Sequence, residues 1–225
     1  MIRLQKSEAL HRKIRQDDVA ELAIPTWNLV RQAMQAGEMD EALDFIDYGC
    51  DETKAMHDAS ISIIDDALTY LAGFGEEEIP KLFRQSFYPR TKDFLSVTPG
   101  VEETLHRFTE YQRSHFSDFT VVEEPDRYVV RCDPCGSGGR LRRTKSVGTT
   151  KKAYPWSWGK SGIPYYCTHC CVAWEIMPTE LRGYPIRISL VTDKPEDPCI
   201  HLFYKKPELI PEEYFARIGM TKTIR

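Results

Sequence analysis

Apolar residues recur at three- and four-residue steps through the first half of the chain and change to alternation near Phe119, so the sequence reads as a helical part followed by a strand-rich part. Pro25 precedes Trp27, Leu29, Val30 and Met34, with Gly37 as a stop, which predicts a first helix starting near the proline. From Glu38 the positions Leu43, Ile46, Cys50, Met56, Ile61, Ile64, Leu68 and Leu71 keep the helical period as far as Gly73. That is one long helix, with Gly49 as the place where it could break. Residues 76–90 predict a shorter helix. Thr98-Pro99 then opens another, with the hydroxyl as cap, proline in the first turn, and Glu102 and Glu103 close behind.

Residues 119–122 and 128–132, joined by a Glu-Glu-Pro-Asp turn, predict a hairpin ending at Cys132. Residues 172–177, 185–191 and 199–204 read as further strands, and residues 211–218 as a last short helix stopped by Gly219. The expected fold class is α+β: an N-terminal helical part, residues 1–118, followed by an antiparallel sheet around a Cys-rich zinc site, residues 119–206, and a C-terminal helix and tail, residues 207–225. No internal repeat or low-complexity tract interrupts this order.

With 225 residues and 41% hydrophobic content, the chain can bury a core of its own. Its seven cysteines would suit disulfides in a short secreted protein, but the charged N-terminus has no apolar segment of the export type. The expectation is therefore a reducing, cytoplasmic location with free thiols. No apolar run approaches the roughly eighteen residues of a membrane span. The formal charge of −4 hides an asymmetry: residues 1–124 carry 13 Lys/Arg against 24 Asp/Glu, and residues 125–225 carry 17 against 10. This reads either as two solvated faces of opposite sign or as a basic C-terminal site for an anion.

The chemistry concentrates in Cys132-Asp-Pro-Cys135, followed by Gly136, and Cys167-Thr-His-Cys170, followed by Cys171. Two thiolates from one C-x-x-C turn can reach one tetrahedral ion, and two such turns complete zinc coordination. A glycine after Cys135 suits a turn leaving with positive φ. Thirty-one residues separate the pairs, more than the fifteen to twenty of a common ribbon, so an insert lies between them. Cys167, His169, Cys170, Cys171, Cys199 and His201 all compete to complete the site begun by Cys132 and Cys135. The set taken here is Cys132, Cys135, Cys167 and Cys170, holding zinc, with iron as the other metal such a set accepts. A closed set would be structural; an open position would activate water.

Cys171, Cys199, His169 and His201 are left for nucleophilic or acid–base work beside the metal. Arg140, Arg142 and Arg143, in a glycine-rich stretch, could hold an anion, or the stretch could be a solvated loop. Trp156 and Trp158 could wall a pocket or stack on a base, or simply cover a small sheet. The Glu103-x-x-His106 spacing of di-iron bundles occurs once where two copies are needed, so His106 reads as a surface or boundary residue. Asp51, Glu52, His57 and Asp58 read as a solvated helix face.

The order of parts, a helical front end, a strand ending in a cysteine, a glycine-rich turn, and a terminal strand carrying Cys199-Ile-His201-Leu-Phe-Tyr, resembles the L-2-amino-thiazoline-4-carboxylic acid hydrolase family over about residues 20–206. That resemblance is one of layout. It implies a hydrolase of small-ring or amide C–N bonds with a cysteine-rich site, and carries over no catalytic residue.

The expected function is thus a zinc-binding enzyme hydrolysing a C–N bond in a small anionic molecule. The rival is a non-catalytic zinc-ribbon module in which the basic insert and the two tryptophans bind nucleic acid or a protein partner.

Overall fold

The computed structural model describes residues 4–224. Two antiparallel strands, β1 (Leu4–Ser7) and β2 (Arg12–Arg15), come first; their charged sequences gave no alternating apolar signal. Four helices follow: α1 (Thr26–Ala36), α2 (Met39–Ala72), α3 (Glu78–Ser96) and α4 (Val101–Ser114). Helix α2 runs unbroken for 34 residues. Gly49 serves a close approach instead of a break, since a Cβ there would lie 3.1 Å from the Trp27 ring of α1. Helix α3 continues through Pro89, beyond its expected end. Helix α4 starts after Gly100, because Thr98 has a positive φ of 49° and cannot serve as the extended cap that its hydroxyl suggested.

The described residues up to Ala59 form one compact unit and those from Ser60 onward another, with the division inside α2. The expected boundaries at 118/119 and 206/207 both fall within the second unit. In the first unit Leu29, Val30 and Phe45 make a small apolar cluster.

The second unit contains a four-stranded antiparallel sheet in the order β3 (Phe119–Glu123), β4 (Arg127–Cys132), β6 (Cys199–Tyr204), β5 (Ile188–Leu190). The α+β class expected from the change of period is what the chain adopts. The β4–β6 register sets Cys132 opposite Cys199 and Val130 opposite His201. Because side chains alternate across a strand, Cys199, His201 and Phe203 share one face and Ile200, Leu202 and Tyr204 the other. The first face joins the main core with Leu68, Phe83 and Phe108. The second packs with Ile188, Ile210 and Phe215, the last from α8 (Glu212–Ala216).

Two expectations fail locally. Residues 138–144, read as a glycine-rich loop, form helix α5 (Gly138–Thr144). Residues 172–177, read as a strand, belong to a helical run: a 3₁₀ turn (Tyr166–Thr168), α6 (His169–Cys171), a π turn (Val172–Ile176) and α7 (Met177–Arg182). The run is buried on nearly every side, so it shows neither the alternation of a strand nor the stripe of a surface helix.

The insert between the cysteine turns is tied down by Glu76, at the α2–α3 connection. Its carboxylate accepts hydrogen bonds from the Tyr165 hydroxyl (2.6 Å), the Tyr154 hydroxyl (2.7 Å) and the Lys151 backbone N–H (2.8 Å). Burial pushes this carboxyl up, but the three donors outweigh it and hold the group below its ordinary range. Among the described residues no helix is long and apolar enough to cross a membrane.

Candidate active site

The two C-x-x-C turns are built differently. The first leaves the end of β4 through a cis Asp133–Pro134 peptide, with Arg131 and Arg143 bonded to the Asp133 carboxylate at 2.9 and 2.6 Å. Gly136 does not take the positive φ expected of it. It is needed because a Cβ would fall 2.0 Å from the His115 carbonyl oxygen, where its N–H donates to Ser117 Oγ at 2.6 Å. The second turn lies inside the helical run. In each turn the first cysteine is buried and the second is half-buried: Cys132 and Cys167 point into the core, whereas Cys135 and Cys170 line a cavity.

That cavity has a volume of about 510 Å³, within the usual range for small-molecule sites. Its walls are largely aromatic, including Phe83 and Phe87 of α3, Phe108 of α4, Trp174 and Phe203. Its polar groups are Cys135, Ser137, Tyr166, His169, Cys170, Arg187 and His201, with Arg90 and Arg107 from the helices.

Cys170 has the most developed surroundings. Its sulfur lies 3.5 Å from His169 Nε2, and Arg187 Nη2 donates to it at 3.4 Å. His169 Nδ1 donates to the Tyr166 carbonyl at 2.6 Å, which turns Nε2 toward the thiol; the ring stacks on Phe87, with centroids 6.0 Å apart. Arg187 is held between Phe108 and Trp174, its guanidinium carbon 4.5 and 4.9 Å from their ring centres. Burial pushes the Cys170 thiol up, but the charges of His169 and Arg187 and their hydrogen bonds more than reverse this, lowering its pKa to about 7. His169 is shifted the other way: burial disfavours its cation, yet the Cys170 thiolate and the Tyr166 carbonyl raise its pKa overall.

His201 also lines the cavity, from β6. Its Nδ1 meets Ser189 Oγ at 3.2 Å and its ring packs edge-on to Phe108 at 4.8 Å. Burial, with Arg187 and His169 adding repulsion, holds its pKa well below the ordinary value. Two imidazoles in one cavity are thus shifted in opposite directions.

The remaining residues singled out from sequence lie elsewhere. Cys171 is buried and donates to the Pro155 carbonyl at 3.4 Å, its pKa pushed well up by burial and then by Glu175. Cys199 is buried opposite Cys132, its thiol pushed up by burial to about 12. Neither lines the cavity. The three arginines brace loops: Arg140 donates to the Phe116 and His115 carbonyls, Arg142 to those of Thr192 and Asp197, and Arg143 to those of Pro195 and Glu196. Trp156 stacks on Tyr154, and Trp158 donates to the buried Glu175 at 2.8 Å.

Cys132, Cys135, Cys167, Cys170 and Cys199 nevertheless share a neighbourhood. After burial, the charges of Cys135, Cys199 and Cys170 raise Cys132, and those of Cys199, Cys135 and Cys170 raise Cys167. Among the described residues, however, no three His, Cys, Asp or Glu side chains are arranged so that they could hold a metal ion, so the structure does not show the expected Cys-rich zinc site.

Sequence reading missed Arg187 and the aromatic walls, and treated Cys170 only as a ligand. The available signal for Arg187 was a lone arginine inside the apolar run 185–191. Comparison with protein-family models, curated proteins and solved structures gave no match.

Proposed function

We propose that the chain is a thiol-based hydrolase that cleaves a C–N bond in a small anionic molecule, with Cys170 as its nucleophile. The observation that carries this reading is the Cys170 sulfur facing an aromatic cavity between His169 Nε2 and Arg187 Nη2. The thiolate adds to the substrate's amide carbonyl carbon, and His169 gives its Nε2 proton to the departing nitrogen, leaving a thioester and an amine. His169, now without that proton, takes one from water, hydroxide adds to the thioester carbon, and the thiolate leaves as the acid is released, which restores the starting pair. Arg187 steadies the thiolate at both ends of the cycle. The reaction class is the one implied by the hydrolase family whose layout the chain resembles.

Iodoacetamide labelling followed by peptide mapping between pH 5 and 9 tests the proposal. Cys170 is expected to label with a midpoint near pH 7 and faster than the other buried thiols. An ordinary thiol midpoint at Cys170 would remove the nucleophile from the argument.

Zinc remains a second reading, favoured by the five neighbouring thiols, with Cys132, Cys135, Cys167 and Cys170 as its ligands; if bound, it would supply a fixed positive charge for those sulfurs. Metal analysis of protein purified without chelators separates the two. One zinc per chain that blocks Cys170 labelling until it is chelated supports the second reading; metal-free protein with a reactive Cys170 supports the first. The nucleic-acid alternative loses its support in Arg140, Arg142 and Arg143, since all three guanidinium groups are engaged by backbone carbonyls.

A further inference from the structure

The cavity grades from solvent to core. Ile64, Leu82 and Tyr111 are 40 to 44% exposed, whereas Phe108, Arg187 and His201 are 2 to 6% exposed. Helices α2, α3 and α4 therefore supply the rim, and the cysteine and histidine chemistry sits at the floor. Arginine stands at both levels but in different states. At the floor, Arg187 is enclosed by Phe108 and Trp174 and already donates to Cys170. At the rim, Arg90 of α3 and Arg107 of α4 both line the cavity, and neither is in an ion pair among the described residues.

Phe94 links α3 to Arg107. It lies one helical turn after Arg90, on the same face of α3, and the Arg107 guanidinium carbon sits 4.2 Å from the centre of its ring. Arg84, earlier on α3, shows the contrast: it is held by both oxygens of Glu180 at 2.7 and 2.6 Å and does not line the cavity.

We infer that Arg90 and Arg107 form an oxyanion subsite at the cavity rim, selecting substrates with a flat apolar body and a carboxylate, sulfonate or phosphate at the end remote from Cys170. This rests on the cavity being the substrate site of the proposed hydrolase. It adds to that reading the orientation of the molecule: the scissile bond goes in first, rings pack against Phe83, Phe87 and Phe108, and the anion stays at the opening, where a guanidinium pair can hold it in forked contacts.

The test compares two fluorescent probes that share an anilinonaphthalene body, 8-anilinonaphthalene-1-sulfonate and the uncharged N-phenyl-1-naphthylamine, on the 225-residue wild-type chain and on Arg90→Met, Arg107→Met and the double variant. The sulfonate Kd should rise roughly threefold in each single variant and ~10-fold in the double, a loss of about 1.4 kcal/mol, while the uncharged probe changes by less than about twofold. A sulfonate Kd that holds in the double variant overturns the inference, as does parallel weakening of both probes or the absence of binding to wild type. Neither probe reacts with a thiol, so an unreactive Cys170 and a failed rim subsite give separate signatures.

Discussion

Cys170 and Glu175 belong to the same buried helical run, and each faces an arginine, yet their surroundings have opposite outcomes. The Glu175 carboxylate is closed off: Oε1 accepts from Trp158 Nε1 at 2.8 Å and the Ser189 N–H at 2.7 Å, and Oε2 accepts from Arg217 at 2.7 Å. Burial still pushes this carboxyl above its ordinary range, with Arg217 the main opposing influence. Cys170 has two long contacts and a cavity in front of it. A charge enclosed by donors holds elements together; a charge with one open side is available to react. Trp158 and the second cysteine turn divide along this line: of the two roles the sequence left open for the tryptophan, the structural one is what its bond to Glu175 serves, while Cys170 faces the cavity.

The sharpest way to break the comparison is to unbalance the closed cluster. Arg217→Ala leaves Glu175 buried without its cation and should lower the unfolding free energy by about 3–5 kcal/mol, measured by urea denaturation, while Cys170 keeps its labelling midpoint. A midpoint that moved with stability would show the two clusters to be one. Trp158→Phe removes a single donor to the same carboxylate and should cost about 1.5–3 kcal/mol in that assay.

The open cluster should behave in reverse. His169→Ala removes the largest influence lowering the Cys170 pKa, so the labelling midpoint should climb from about 7 toward that of an ordinary thiol. The sign follows from the thiolate being the reactive form: wild-type labelling fades as pH falls through about 7, and in the variant it fades at a higher pH. Labelling at pH 7 should slow several-fold; an unmoved midpoint would transfer the effect to Arg187. The smallest change serves as a control. Arg84→Ala breaks a partly exposed ion pair with Glu180 and should shift stability by less than about 1 kcal/mol, with Cys170 labelling unaffected.

What the sequence disclosed follows from how local each signal is. The helical period of α2 and the hairpin of β3 and β4 are written in consecutive residues, and both elements form where expected. The run after Cys167 was misassigned because burial on all sides erases periodicity, and Gly136 was given a conformational role when its neighbour across space, the His115 carbonyl, is what requires it. The site was half legible. The two turns drew attention to Cys135 and Cys170, which line the cavity, but no spacing rule tells that the second of each pair does so, or that Arg187, from a distant stretch, reaches Cys170.

The π turn over Val172–Ile176 adds a residue to the winding between Cys170 and α7. Each α-helical residue corresponds to roughly 100° of rotation. Deleting one residue there should therefore re-aim whatever lies on one side of the deletion relative to the other by about that angle, so that the sulfur and the Glu175 carboxylate could no longer both keep their present partners. Length at this point of the chain is thus under tighter constraint than side-chain identity, and a deletion scan through the turn should shift the Cys170 labelling midpoint and lower stability more than conservative replacements at the same positions.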